Sequence, residues 1–286
     1  MKVPSRKSVW SFLILFLLIL GTRAASAQNL KPEEILAKHI EAIGAKERID
    51  SVKNRLAVGL SEFESKLPSR KADGKAVIAS ESGNLMFLAS FRSQEYPFEK
   101  IGFFSNKINL PWVTSGTRSP LGAFIADHEK ILSSGLFTGT ISSRWPLLDP
   151  QNKKGRVQSG GTKKVDGRKV YVLDYFPKGG GSTEFTIKVF FDSETFRHVR
   201  TEYRRQISSK QDTFGQLGRQ ADVKLTMTEE FGDYKTVDGL TLPYSYRINY
   251  LTNSNSGVYE YIWGINITQY HFNQKLDSNF FTFDTK

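Results

Sequence analysis

The side chains in this chain that could do chemistry are four histidines, two close pairs of glutamates, one glycine-rich stretch and one basic run. His39, His128, His198 and His271 each stand alone, with no second ligand at metal-binding spacing, so no metal centre is expected. His39 falls on the apolar stripe of a helical pattern and reads as a packed core residue rather than a ligand. Neither a Gly-x-Ser-x-Gly elbow nor a His-Glu-x-x-His pair occurs, which removes two common hydrolase machineries. Gly155 to Thr162 approaches the spacing of a phosphate-binding loop, but Gly161 stands where that loop needs its lysine and a strand follows, so it reads as a turn. Glu62/Glu64 and Glu229/Glu230 are the residue types that general acid–base catalysis uses. On strands the first pair shares one face and the second splits across two. Exposed strand charge is the ordinary reading of both, and a distant partner meeting one of them in the fold is the alternative. No cofactor is expected, and the chain reads as non-enzymatic.

The basic run, Lys153 to Lys169, carries seven Lys and Arg against the single Asp166. Lys153, Lys154, Arg156, Lys163 and Lys164 could meet anionic lipid head groups or an acidic partner, each charge near such a surface adding ~1 kcal/mol. The ordinary reading is a solvated, self-repelling turn.

The first residues carry an address rather than a fold. Lys2, Arg6 and Lys7 precede the apolar run Phe12 to Leu20, and Ala25-Ser26-Ala27 supplies small residues, the order of a secretory signal peptide cleaved after Ala27. The apolar run is well short of the ~20 residues that span a bilayer. The expected product, residues 28–286, is a soluble, monomeric, single-domain protein of the periplasm, and export sets nucleic acid aside as a partner. Removing Lys2, Arg6, Lys7 and Arg23 takes the net charge from +11 to +7, still basic. Zero cysteines in an exported chain leave a hydrophobic core as the means of holding the fold.

Elements that would position these groups are legible as periodicities. Pro32 to Ile43 reads as a helix, with Ile35, Leu36, His39, Ile40 and Ile43 at helical spacing and Gly44 as its stop. Strands follow at 56–61, 75–80, 85–91, 98–105 and 107–112, with a turn at Pro68 to Gly74, forming an antiparallel meander. Ser119-Pro120 opens a second helix, in which Leu121, Phe124, Ile125, His128, Ile131 and Leu132 form one stripe before Gly135. That stripe is expected to lie across a sheet. Residues 136–149 form an irregular apolar loop with Phe137 and Trp145. The stretch 185–205 reads as a hairpin, with Phe185, Ile187, Val189 and Phe191 inward on its first strand. On its return strand Val199, Thr201 and Tyr203 face one way, and His198, Arg200, Glu202 and Arg204 the other. A strand at 170–175 precedes this hairpin, and strands at 223–231, 242–251 and 258–268 follow a polar loop at 207–220. The fold class expected is mainly β (α+β): a single curved antiparallel half-barrel of about ten strands, with helices packed in its concave face.

Several of these segments together resemble the LolA-like outer-membrane lipoprotein-sorting carriers, whose relatives include RseB-type envelope sensors. They are PEEILAKHIEAIGA after the signal peptide, LAVGLSEFES, SGNLMFLASFRSQEYPFEKIGFFSNK, VFFDSETF, VDGLTLP and the closing NQKLDSNFFTF. The resemblance implies an apolar cavity that receives acyl chains, with a lipid or a lipidated protein as partner and transient contact with a membrane surface. Leu121, Phe124, Ile125, His128, Leu132, Phe87, Phe91, Trp112, Phe137 and Trp145 are the residues assigned to that cavity and its lid. The carriers hold their lid with an arginine late in the strand matching 85–91. This chain has Ala89 there and Arg92 nearby, so a latch does not transfer. An envelope sensor or adaptor acting through protein contacts is the alternative function, and an exported hydrolase a third.

Overall fold

Alternation of apolar and polar side chains is carried far enough along the chain to build, among the described residues, twelve strands rather than about ten. The computed structural model describes residues 30–149, 155–178, 185–207, 223–255, 257–277 and 279–283. The signal peptide, Lys153, Lys154, the turn at Gly179 to Gly181 and all but the first residue of the loop at 207–220 lie outside the described residues. Two helices come first, α1 (Pro32–Ile43) and α2 (Lys46–Ser51), the second unforeseen. A first group of strands follows: β1 (Asn54–Lys66), β2 (Ser69–Glu81), β3 (Asn84–Ser90), β4 (Phe98–Phe104) and β5 (Lys107–Asn109). After an irregular connection the second group is β6 (Gly155–Val165), β7 (Arg168–Pro177), β8 (Thr186–Asp192), β9 (His198–Ile207), β10 (Val223–Val237), β11 (Leu240–Ser254) and β12 (Gly257–Phe272). All pair antiparallel in one open sheet of order β5-β4-β3-β2-β1-β12-β11-β10-β9-β8-β7-β6.

Two meanders therefore meet along one seam, where β1 pairs with β12 from Arg55↔Phe272 to Ser65↔Tyr261. The sheet is curved as well as open. Tyr96, just before β4, accepts a hydrogen bond at 2.9 Å from Trp263 Nε1 on β12, four strands away in the sheet. A flat sheet would hold those strands ~19 Å apart at ~4.8 Å per step.

The connection between β5 and β6 crosses the concave face. It holds α3 (Pro120–Asp127), α4 (Glu129–Ser133) and two 3₁₀ turns, Gly139–Ile141 and Pro146–Leu148. Ser119 caps α3 by accepting from the Gly122 amide at 2.9 Å. The sequence predicts one helix over this stretch, but the helix breaks at His128, whose φ of −135° and ψ of 49° leave helical space. That turn seats the His128 ring 4.9 Å from Phe124 and 4.7 Å from Phe185, and Ile131 and Leu132 still face inward. On the outer face the C-terminal tail lays Phe280, Phe281 and Phe283 over Ala79 and Met86.

Two turns expected from sequence are strands. The residues between Pro68 and Gly74 belong to β2, because the reversal is completed within Leu67-Pro68. The glycine-rich and basic stretch from Gly155 onward is the edge strand β6. Gly160 and Gly161 are absorbed by a bulge between Ser159 and Thr162, where Gly161 takes a φ of +80°.

Candidate functional site

The concave face is the candidate site, because it gathers almost every residue that sequence had assigned to a cavity. Leu121, Phe124, Ile125, His128, Leu132, Phe87, Phe91, Phe137 and Trp145 are all buried there. They do not form one cluster. Phe87 meets Phe137 edge-on at 5.6 Å, while Phe124 and His128 meet Phe185, and Phe124 also meets Tyr250 at 4.8 Å. Phe91 joins Phe63 and Tyr96. Trp145 stacks on His198 at 4.5 Å and meets His39 edge-on at 5.2 Å. Trp112 stands apart: it is 39% exposed, with the Arg118 guanidinium 4.1 Å over its ring.

Polar groups on this face were harder to foresee. Glu229 on β10 is fully buried, against the expectation of an exposed strand charge, because the register that turns Leu225, Met227 and Phe231 inward turns Glu229 inward too. It accepts from the Thr138 amide at 2.8 Å, from Tyr203 at 2.8 Å and from Tyr246 at 2.5 Å. Glu99 on β4 is its counterpart, equally buried, accepting from the hydroxyls of Tyr96 and Ser119. Burial pushes both carboxyls up to about 7, against the downward pull of their donors. The same burial raises the hydroxyls of Tyr96, Tyr203 and Tyr246 well above the usual tyrosine range.

His198 also faces inward, not outward with Arg200 as the alternation suggested. A bulge opposite Phe190 and Phe191 shifts the register, so His198 pairs with Phe191 and its ring enters the concave side. There it hydrogen-bonds Thr201 at 2.8 Å, and His39 donates from Nδ1 to the Phe196 carbonyl at 2.8 Å. His39 is thus the core residue expected from its place on the stripe. Burial lowers His39 to about 4 and His198 well below the ordinary histidine value, so both are neutral at pH 7.

Ala89, at the position the carrier resemblance gives to a lid-holding arginine, is buried opposite Glu99 in the β3–β4 ladder. Arg92 is exposed and paired with Asp73. The sheet arginines Arg205 and Arg55 do reach the crossing connection: Arg205 on β9, with Nη1 3.4 Å from His128 Nδ1, and Arg55 on β1, whose Nη1 donates to the carbonyls of Thr140 at 2.6 Å and Ile141 at 3.3 Å. Burial of Arg55 lowers its guanidinium to about 10.

The basic residues do not converge. Arg156, Lys163 and Lys164 are exposed along β6, and Arg156 lies over Phe176. Eight residue steps of strand separate Arg156 from Lys164, about 26 Å at ~3.3 Å per residue. Glu62 and Glu64 share the outer face, as expected, and line an open recess of about 320 Å³ with Lys71, Asp73 and Arg247.

Among the described residues no group of three or more His, Cys, Asp or Glu side chains is placed to hold a metal ion, and no helix is long and apolar enough to cross a membrane. No protein-family model matches the chain, and no curated protein matches it. The chain is similar to solved structures of the LolA kind. A LolA superfamily protein from Nitrosomonas europaea is 14% identical, with 88% of this chain and 98% of that one covered at a TM-score of 0.48. A domain provisionally named as an outer membrane lipoprotein-sorting protein, from Vibrio parahaemolyticus, is 16% identical over 86% of this chain and 97% of its own, at 0.42. The Pseudomonas aeruginosa MucA/MucB complex gives 9% identity over 84% of this chain and 98% of the matched chain, at 0.22.

Proposed function

We propose that this is an exported, non-enzymatic periplasmic protein whose concave face receives an acyl chain, from a lipid or a lipidated protein, when the connection between β5 and β6 lifts. One observation carries the reading: the apolar side of a curved sheet is closed by a short, broken, irregular segment. Leu121, Phe124, Ile125, Leu132, Leu136 and Phe137 of that segment are at most 2% exposed. They stand where a ligand's methylene groups would stand, and a segment of two short helices and 3₁₀ turns can leave without unpairing a strand. A signal peptide cleaved after Ala27, a single domain over residues 28–286 and a monomeric state belong to the same proposal.

Phe124 tests it, packed on the rings of Phe185, just before β8, and Tyr250 on β11. Because Phe124 packs only when the strap is closed, Phe124→Ala is expected to bind a fluorescent fatty acid at least about tenfold more tightly than wild type, roughly 1.4 kcal/mol, with an unchanged circular dichroism spectrum. Equal binding by the two proteins, or no binding by the wild type, removes the carrier reading.

The tight packing of the same side chains favours a second reading, an adaptor or sensor whose output is a protein contact. Native mass spectrometry of the purified protein separates the two. Co-purified lipid supports the carrier, and a lipid-free protein that retains a protein partner supports the adaptor. Contact of Arg156, Lys163 and Lys164, with Lys153 and Lys154, with anionic head groups belongs to the carrier reading as a transient docking step.

A further inference from the structure

We propose that Glu99 and Glu229 are the catches that hold the β5–β6 connection down, and that this strap is released as their two carboxyl groups lose their protons to water. The inference rests on the strap being a removable cover, and not on what lies beneath it.

The geometry is that of two fastenings at opposite ends. Glu99 sits on β4, in one meander, and meets the strap at Ser119, the cap of α3. Glu229 sits on β10, in the other meander, and meets it at the Thr138 amide, beyond α4. The whole buried stripe from Leu121 to Phe137 lies between them. The remaining donors come from the sheet side: Tyr96, itself held by Trp263, on Glu99, and Tyr203 with Tyr246 on Glu229. Among the described residues neither carboxylate has a salt bridge to Lys, Arg or His. A buried carboxylate with hydroxyl and amide donors but no counter-charge is held in its acid form by desolvation, and hydration on opening removes that restraint.

The direction follows. A closed strap holds both carboxyls at about 7, and an open one returns them towards the ordinary 4.5, so opening releases protons and grows easier as pH rises between those values. Other titratable groups face the strap or belong to it, among them His128, buried in the strap with Arg205 Nη1 of β9 3.4 Å from its Nδ1. His39 and His198 pack on Trp145 and are held neutral by burial, so opening lets them gain protons and grows easier as pH falls below their ordinary 6.5. Arg55 and Arg144, lowered to about 10, and the tyrosines, raised, keep one charge state across this range. The carboxyl contribution is therefore isolated by comparing the wild type with a variant that keeps the histidines.

Hydrogen–deuterium exchange of the amides from Leu121 to Phe137, corrected for intrinsic rates, reports strap opening without any ligand. The ratio of opening constants, wild type over Glu99→Gln/Glu229→Gln, is expected to rise at least tenfold from pH 5.5 to 7.5 and then level off. A ratio independent of pH overturns the proposal. If the double variant does not fold, infrared difference spectra of the glutamate-labelled wild type decide instead. Bands of protonated, slowly exchanging carboxyls must be present at pH 5.5 and gone by pH 8, and their absence at pH 5.5 overturns it equally. Failure here leaves fatty-acid binding untouched, and failure of fatty-acid binding leaves the exchange result standing.

Discussion

Replacing Gly139 by alanine would place a methyl group 2.5 Å from Phe231 Cζ and 2.8 Å from His198 Cε1, on a backbone whose φ is +47°. Two penalties add. A side chain in left-handed space costs about 1–2 kcal/mol, and a methyl group forced into a packed interior costs about 1–3 kcal/mol more. Gly161 is the matched control, with a φ of +80° and no atom within 4 Å of an added methyl group. Gly161→Ala carries the backbone penalty alone, and the loss of chain entropy in the unfolded state is common to both. In urea unfolding, Gly139→Ala is thus expected to lose about 1–3 kcal/mol more than Gly161→Ala, with the same dependence on denaturant. If the two variants agree within about 0.5 kcal/mol, the 3₁₀ turn is not seated against His198 and Phe231, and the strap does not close the concave face.

The pH profile of global stability should be nearly flat between pH 4.5 and 6.5, because two opposed contributions overlap there. Glu99 and Glu229, raised to about 7, stabilise below 4.5 and lose that contribution as pH rises towards 7; His39, lowered to about 4, and His198, lowered well below the ordinary histidine value, stabilise above 6.5 and lose that contribution as pH falls. Thermal unfolding of Glu99→Gln/Glu229→Gln should therefore show a Tm that falls on acidification, and a Tm still flat in that variant would contradict the assignment. Arg55→Met removes the donors to Thr140 and Ile141 but also an uncompensated buried cation, so strap amides should exchange faster while the urea midpoint shifts little. Unchanged exchange would mean that Arg55 does not hold the strap.

Much of the sheet was legible because alternation is a local signal. The hairpin from Thr186 to Ile207 and the meander from β1 to β5 follow from patterns a few residues long. What failed were the positions where a bulge changes the count. His198 faces inward because of one irregularity that no alternation in β9 announces. Glu229 was legible in principle: it occupies the inward register between Met227 and Phe231, as Glu99 does ahead of Ile101 and Phe103. A lone carboxylate in an apolar register is a signal, and reading strand charge as solvated charge conceals it. The broken helix at His128 was not legible, since the ring that His128 meets there, Phe185, lies more than fifty residues away, just before β8.

The strap joins the two outermost strands of the sheet, β5 and β6, which are the two free margins of the whole fold. Eleven strand spacings of ~4.8 Å separate those margins along the sheet, about 53 Å. Crossing from one to the other is thus imposed by connectivity before any side chain is chosen. The same segment is the sole covalent join between the two meanders, whose other union is the hydrogen-bonded seam of β1 and β12. Lifting the strap cannot set it adrift, because both ends stay sewn to the rims. If the strap lifts as proposed, it therefore acts as a drawstring, held at both rims, whose slackening would free the two halves to swing about their central seam.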